Sequence, residues 1–174
     1  DDTVSVIDTT TNAVTGPLAV GNGPYGIAFD SANNRMYVTN YIDGTVSVID
    51  TATNAVTGPL TVGAGPYGIA FDSANNRMYV ANNTDGTVSV IDTTTNAVTG
   101  PLTVGAGPSD IAFDSANNRM YVTNYADGTV SVIYTLNLNT GSDCYDCTPP
   151  TLQSSHITIS SNDHVVATGD EPVH

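Results

Sequence analysis

The sequence predicts an all-β protein built from β-propeller blades of four antiparallel strands, with about three blades present in an incomplete propeller. Three observations lead to this prediction. Segments such as VSVID and AFDSANNRMYV recur at a spacing of forty-two residues. Each repeat holds four short strand patterns separated by turn residues, and no segment has the periodicity of a helix. A repeat of about 40–45 residues with four strands is typical of a propeller blade.

The first strand of each repeat is predicted from the segment YGIAF, which is apolar and small near its start. Gly26 and Ala28, with Gly68 and Ala70 in the next repeat, provide the small side chains that suit the strand nearest to a propeller axis. The second and third strands are predicted from RMYVTN and TVSVID, which are rich in aromatic and β-branched residues. We therefore expect RMYV to pair with both GIAF and TVSV of its own repeat.

The fourth strand, AVTGPLTV, is interrupted by Gly58 and Pro59. Proline suits an edge strand because it has no N–H to donate to a neighbouring strand. The linkers DSANN and DG supply Asn, Asp and Gly, which tolerate the positive φ angles of tight hairpins. Residues 1–134 then contain thirteen strands, fewer than the roughly 4–8 blades of a closed propeller require. We expect an open arc, closed by the remaining blades of a longer chain of which this is a fragment, or by a second copy.

The charge of the chain is strongly negative, with seventeen acidic residues against three arginines and a net charge of −14. Such a chain repels phosphate backbones, so nucleic acid is excluded as a partner. No apolar run approaches the roughly 20 residues that cross a bilayer, so no membrane insertion is expected. No secretion leader precedes Asp1, and we expect that it was removed or that the sequence is an internal piece.

The amino-acid sequence of the repeats resembles that of a known family. YVTN at Tyr37 and Tyr121, and YVAN at Tyr79, are followed by DGTVSVID, or by DGTVSVIY in the third repeat, and are preceded by GIAFD or DIAFD. Over residues 1–134 this pattern resembles the YVTN family of β-propeller repeats, whose members are typically surface-layer or secreted proteins of archaea and bacteria. The resemblance implies an extracellular or cell-surface location and a structural, adhesive or protein-binding role. A protein or a cell-surface polymer is then the expected partner, and a strand-sharing subunit of an extracellular assembly is an alternative.

The period ends after Tyr134, and we expect a linker at residues 135–148 and the start of an immunoglobulin-like β-sandwich at residues 149–174. The segment TPPTL followed by HITISSND resembles the opening of an immunoglobulin-like or hyalin-repeat module. Cys144 and Cys147 form a CxxC within the linker. The next residue is Thr rather than the His of haem attachment, and no second CxxC completes a zinc site. In an exported protein we expect these two cysteines to form a disulfide.

The repeats contain no His, Cys, Lys or Glu, which removes the usual general bases and the thiol nucleophile. We therefore predict no catalytic residues, no metal site and no cofactor. The alternative is a propeller enzyme, lactonase-like or quinoprotein-like, whose catalytic residues lie outside this sequence.

One departure from the repeat marks a candidate binding site. The third repeat has Ser109 and Asp110 where the others have Tyr-Gly, and this places a carboxylate at the mouth of the innermost strand, beside the central channel. Drift between repeats is the alternative explanation. The candidate binding residues are Tyr25, Tyr67, Ser109 and Asp110.

Two further sets of residues are candidates for structural or covalent roles. Arginine recurs directly after DSANN, and each such arginine is expected to form an ion pair with an Asp of its own turn or of a neighbouring blade. A ring of anion-binding arginines is the alternative. Asn82 begins the sequon Asn82-Asn83-Thr84 and is a candidate for glycosylation. The arginines are Arg35, Arg77 and Arg119, and the aspartates of their turns are Asp30, Asp72 and Asp114.

Overall fold

The computed structural model describes residues 1–135, and within them every regular element is a strand. The strands are β1 (Thr3–Ile7), β2 (Val14–Ala19), β3 (Pro24–Asp30), β4 (Arg35–Asn40), β5 (Thr45–Asp50), β6 (Val56–Thr61), β7 (Pro66–Asp72), β8 (Arg77–Asn82), β9 (Thr87–Asp92), β10 (Val98–Thr103), β11 (Pro108–Asp114), β12 (Arg119–Asn124) and β13 (Thr129–Tyr134). No helix in this part of the chain is long and apolar enough to cross a membrane.

The strands form four antiparallel sheets in chain order. The first sheet is β1-β2, the second is β3-β4-β5-β6, the third is β7-β8-β9-β10 and the fourth is β11-β12-β13. The predicted pairing is confirmed, because each RMYV strand pairs with the strands before and after it in its own repeat. In the second and third sheets, the strand that contains Gly-Pro lies at the edge.

Asparagine and aspartate build the turns between the strands. Asn34, in the turn from β3 to β4, has a φ of 53°, and the same position in the next two repeats is also positive. The carboxylate of Asp30 accepts hydrogen bonds from the backbone N–H of Ala32 at 2.9 Å and of Asn33 at 3.2 Å. The turn residues therefore provide both the left-handed backbone and the acceptors that the hairpin needs.

The hydrophobic core lies between neighbouring sheets. Tyr37, Val46 and Val48 of the second sheet pack against Met78 and Val80 of the third. The corresponding residues of the third sheet pack against the fourth in the same way. The innermost strands β3, β7 and β11 are neighbours in that order. The fold is therefore an all-β, propeller-like series of antiparallel sheets.

Candidate binding cleft on the innermost strands

The four candidate binding residues lie together. A cleft of about 440 Å³ crosses the innermost strands, and it is lined by Tyr25 of β3, Tyr67 of β7, and Ser109 and Asp110 of β11. The sequence placed these residues in three different repeats, and the stacking of the sheets brings them to one surface. This surface is called the inner cleft below.

Closely packed tyrosines form one part of the inner cleft. The ring centroids of Tyr25 and Tyr67 are 3.9 Å apart with a tilt of 43°, and Tyr41 meets Tyr67 edge-on at 5.4 Å. Tyr25 is 62% exposed. The pKa of Tyr67 is raised above its usual value, mainly by a hydrogen bond with Tyr25 and to a smaller extent by desolvation. Tyr41 was not predicted as a site residue. It comes directly after the RMYVTN strand, and the sequence of a single repeat does not show that its ring faces the next repeat.

Polar groups form the other part of the inner cleft. The hydroxyl oxygens of Ser109 and Thr123 are 3.0 Å apart, and the backbone N–H of Asp110 donates to Thr123 Oγ1 at 3.0 Å. Asp110 Oδ1 accepts from the backbone N–H of Ile111 at 2.9 Å. The exposed Asp110 side chain accepts no hydrogen bond at Oδ2 from any residue of 1–135, so this oxygen is free to accept one from a ligand.

Glycine allows the innermost strands to approach each other. A Cβ on Gly68 would lie 2.8 Å from the carbonyl oxygen of Ser109, which is closer than real Cβ atoms come. The equivalent approach between the second and third sheets sets Gly26 against the carbonyl oxygen of Tyr67. Thr39 joins the strands there: its hydroxyl oxygen accepts from the N–H of Gly26 and donates to the carbonyl oxygen of Tyr67, each at 2.8 Å. From the sequence, these glycines were expected to provide the small side chains of a strand near a propeller axis. The structure shows that the space they leave is taken by backbone of the next sheet.

The arginines make contacts other than the expected ion pairs. Arg35 donates to the carbonyl oxygen of Thr93 in the third sheet at 3.3 Å, and Arg119 lies over the ring of Tyr134 at 5.0 Å. The Asp114 side chain instead accepts from Asn117, and this hydrogen bond is the largest cause of its lowered pKa. Within residues 1–135, Arg35 and Arg119 thus form no ion pair, whereas the pairing expected for Arg77 stays a prediction.

Asn82 is not suited to glycosylation in the folded chain. Its side chain is buried, and its amide nitrogen donates to Thr87 Oγ1 at 3.0 Å and to Ser89 Oγ at 2.9 Å. Asn40 and Asn124 hold the same place in their sheets and are equally buried. From the sequence, Asn82 was considered only as the start of a sequon in a turn. An asparagine recurs before the TVS segment of every repeat, and this recurrence could have indicated the buried hydrogen bonds from Asn to Thr and Ser.

Other predictions lie beyond the described residues. Cys144, Cys147 and the segment 149–174 fall outside residues 1–135, so their disulfide and their sandwich stay predictions. Within residues 1–135, no three His, Cys, Asp or Glu side chains are grouped closely enough to hold a metal ion.

Comparison with known proteins shows a likeness in fold. No protein-family model matches the sequence, and no curated protein matches it. Among solved structures, the chain is similar to the hydrazine synthase of Kuenenia stuttgartiensis, with 25% sequence identity and a TM-score of 0.62. The match covers 70% of this chain and 35% of that one, so the chain spans about a third of the length of the structure it matches. The chain therefore shares an all-β, propeller-like fold with one part of that protein.

Proposed function

We propose that this protein is a non-enzymatic propeller module of the cell surface or the extracellular space, and that its inner cleft binds a protein or a cell-surface polymer. One observation carries the proposal. Ser109 and Asp110, which stand where the other repeats have Tyr-Gly, line the same cleft as the closely packed rings of Tyr25 and Tyr67.

The chemistry of the inner cleft suits binding. Tyrosine gives a large amphipathic contact area at a low cost in side-chain entropy, and it is enriched where proteins bind partners. The Ser109 hydroxyl and the Asp110 carboxylate add a hydrogen-bonding group and a negative charge beside the rings. The absence of His, Cys, Lys and Glu from residues 1–134 supports a role without acid–base or thiol chemistry.

We propose further that the four sheets are consecutive blades of an incomplete propeller. The end faces support this, because residues that are buried between sheets become exposed there. Ile27 on the second sheet is 50% exposed, whereas its counterpart Ile69 is 9% exposed. Val130 on the fourth sheet is 58% exposed, whereas its counterpart Val88 is fully buried. Remaining blades of a longer chain, or a second copy, would cover these faces and restore the lost apolar contacts.

The location and family are part of the same proposal. The YVTN-like wording of the repeats and the acidic composition support a surface-layer or secreted protein. Cell fractionation with an antibody against residues 1–135 tests this: the protein is expected in the cell envelope or the medium, and recovery from the cytoplasm alone would contradict it.

Binding by the inner cleft can be tested with arrays of glycans and of surface-protein peptides. The wild-type chain is expected to bind one class of glycan or peptide, and Tyr25→Ala is expected to weaken this binding at least ten-fold (about 1.4 kcal/mol) because it removes one of the two packed rings. Tyr125→Ala is the matched control, since Tyr125 is 84% exposed and lies outside the cleft lining. Equal loss in both variants, or no binding to any array, would show that the proposal is wrong.

A catalytic function is the second candidate. It is favoured by one observation, the structural similarity to a protein that is named as a synthase. In this case the catalytic residues would lie outside this sequence. Turnover of a panel of lactones, or of alcohols with a quinone cofactor, by a longer chain that includes these 174 residues would support catalysis over binding.

A further inference from the structure

The first and fourth sheets repeat two surfaces that pack on each other inside the chain. Residues 3–18, which form β1, β2 and the turn between them, are identical in sequence to residues 87–102 of the third sheet. Residues 114–133, which run from the end of β11 into β13, match residues 30–49 of the second sheet at every position but one. The second and third sheets share a hydrophobic core. The fourth and first sheets therefore carry the two halves of an interface that already exists.

Three hydrogen bonds hold the second and third sheets together at their outer side. The hydroxyl of Tyr37 donates to Asn96 Oδ1 at 2.9 Å. The side chains of Asn33 and Arg35 both donate to Thr93, at 3.2 Å to its hydroxyl oxygen and at 3.3 Å to its carbonyl oxygen. Three side chains of the second sheet therefore bind the turn that follows β9 in the third.

The fourth sheet presents the same three side chains. The counterparts of Asn33, Arg35 and Tyr37 are Asn117, Arg119 and Tyr121. A hydrogen bond with Tyr121 is the main cause of the raised pKa of Arg119. Arginine can only donate, so the phenolic oxygen accepts this bond and the hydroxyl hydrogen of Tyr121 is left to donate. Within residues 1–135 no atom accepts it, whereas the hydroxyl of Tyr37 donates to Asn96.

The turn of the first sheet has the shape of the turn that the second sheet binds. Asn12 has a φ of 58° and Asn96 a φ of 60°. In both turns the leading aspartate accepts hydrogen bonds from the backbone N–H groups two and three residues further on, at 2.8–3.0 Å. Thr9 and Asn12 are exposed, whereas Thr93, the counterpart of Thr9, is buried. The acceptors of the first sheet are therefore preformed and open to a partner.

The apolar parts of the two open faces also correspond to a pair of packed surfaces. Ile91 of the third sheet packs in one core with Tyr37 of the second. Its counterpart Ile7 is 60% exposed, and Tyr121, the counterpart of Tyr37, is exposed as well. Because β1 and β2 correspond to the third and fourth strands of a complete sheet, they would cover only the outer part of the fourth sheet. Asp110, on the innermost strand, would stay available in the inner cleft.

We propose that the first sheet of one copy of this chain docks on the fourth sheet of another, in the register that joins the second and third sheets. Tyr121 then donates to Asn12 of the second copy. Asn117 and Arg119 donate to Thr9 of that copy. This inference rests on the proposed function, in which the sheets are blades of an incomplete propeller, and it names the segment that a second copy supplies.

The docked surface is small, because the first sheet has no counterpart of the two inner strands. Small interfaces between proteins are weak and transient. We therefore expect association at concentrations of about 10–100 μM, with monomers in more dilute protein.

Two variants blocked on opposite faces test the docking. Ile7→Asp places a charge on the first sheet and Val130→Asp places one on the fourth, and both positions are exposed in the single chain. At about 100 μM, and in about 150 mM salt to screen the net charge of −14, the wild type is expected to associate and each variant to stay monomeric by sedimentation velocity. An equimolar mixture of the variants should form dimers, because each variant keeps one intact face. A monomeric wild type, or a mixture of folded variants that stays monomeric, would overturn the inference.

The hydrogen bond from Tyr121 to Asn12 can be tested without changing the apolar faces. Tyr121→Phe and Asn12→Gly are each expected to weaken association about five-fold, since glycine keeps the positive φ of Asn12 and removes its acceptor. The double variant should lose little more than either single variant, because the two groups form one bond. Asn54→Gly is the control, since Asn54 holds the same turn position in the second sheet with a φ of 59°. Additive losses, or an equal loss in Asn54→Gly, would overturn the inference.

Tyr25→Ala separates this interface from the inner cleft. It is expected to leave self-association unchanged, because Tyr25 lies on β3 and on neither docking face. Loss of self-association in folded Tyr25→Ala would place the contact in the cleft and overturn this inference while leaving the proposed function intact. Failure of the array experiment, with self-association as expected, would overturn binding by the cleft alone.

Discussion

The phenolic hydroxyl of Tyr37 donates a hydrogen bond of 2.9 Å to Oδ1 of Asn96, which lies 59 residues further along the chain. Tyr37 belongs to β4 in the second sheet, and Asn96 lies in the turn after β9 in the third. Asn96 itself has a φ of 60°, so the same residue shapes its turn and accepts the bond. The packing of one sheet on the next is therefore fixed by a polar contact at its outer side as well as by the core.

Loss of this contact should measurably destabilise the chain. Tyr37→Phe is expected to lower the free energy of unfolding by about 1 kcal/mol, the usual net value of a hydrogen bond between partly buried groups. Tyr121→Phe is the control, because Tyr121 holds the same strand position on the open fourth sheet. Urea unfolding of both variants gives the comparison, and equal losses would contradict the role of Asn96.

Substitution of Gly68, which lies between the third and fourth sheets, should destabilise the chain more than substitution of a turn glycine. Gly68→Ala places a Cβ against backbone of the fourth sheet, and we expect a loss of roughly 2–3 kcal/mol from overpacking. Gly128→Ala has open space but a φ of +65°, so it should lose only about 1 kcal/mol from backbone strain. Thermal unfolding of the two variants measures the difference, and the reverse order would show that the sheets separate easily.

Acid should weaken the fold through the turn carboxylates. The hydrogen bond from Asn117 is the main cause of the lowered pKa of Asp114, and backbone N–H bonds lower the pKa of Asp8 and Asp50. A lowered pKa in the folded state stabilises the fold above the unfolded value of about 3.9, and this stability is lost as the pH falls through the folded value. Asn117→Ala should reduce the difference in stability between about pH 7 and about pH 3. If Asn117→Ala left this difference in stability unchanged, Asp114 would contribute nothing to the pH dependence of folding.

Alkali should act on the buried tyrosines. Burial raises the pKa of both Tyr37 and Tyr79 above the usual value. A raised pKa in the folded state stabilises the fold below the unfolded value of about 10, and this stability is lost as the pH rises beyond it. Among the nine tyrosines, these two should form phenolate only as the chain unfolds, which absorbance titration can follow. Tyr37→Phe should reduce the absorbance change that accompanies unfolding at high pH. Ionisation of all nine tyrosines together in folded protein would disagree with the burial of Tyr37 and Tyr79.

The sequon should remain unmodified. When the chain is secreted from a host that glycosylates asparagine, mass spectrometry is expected to find Asn82 bare, because its amide nitrogen is buried and already donates two hydrogen bonds. Val14→Thr provides the control by creating a sequon at Asn12, an exposed turn residue of the first sheet. A glycan on Asn82 with a native fold would contradict the buried network.

The order and pairing of the strands could be predicted from the sequence because they depend on patterns within one repeat. Alternation in RMYV and TVSV, the Gly-Pro of the edge strand and the Asn and Asp of the turns are all local signals. The inner cleft was predicted in part, since a break in the repeat at Asp110 is visible without a structure.

Contacts between repeats could not be predicted in this way. The hydrogen bonds of Tyr37 to Asn96 and of Arg35 to Thr93 join residues whose separation along the chain carries no pattern. The burial of Asn82 depends on the two hydroxyls that its amide meets, and an asparagine before a turn is ordinarily exposed. The sheet-to-sheet distance, which only a structure gives, decides the first two contacts, whereas the third depends on side-chain orientation within one sheet.

The close approach at Gly26 and Gly68 has a consequence for how such a chain can lengthen. A unit that has glycine at this position accepts a neighbour, so duplicating the unit that contains Gly68 would insert another blade without changing any residue on either side. The unit that contains Asp110 already carries a Cβ at this position, so a neighbour on that side would have to pack less closely against its innermost strand. Lengthening of the array by gene duplication is therefore expected to reuse the units that have glycine here, and an alignment of longer and shorter versions should show glycine wherever one unit packs closely on the next.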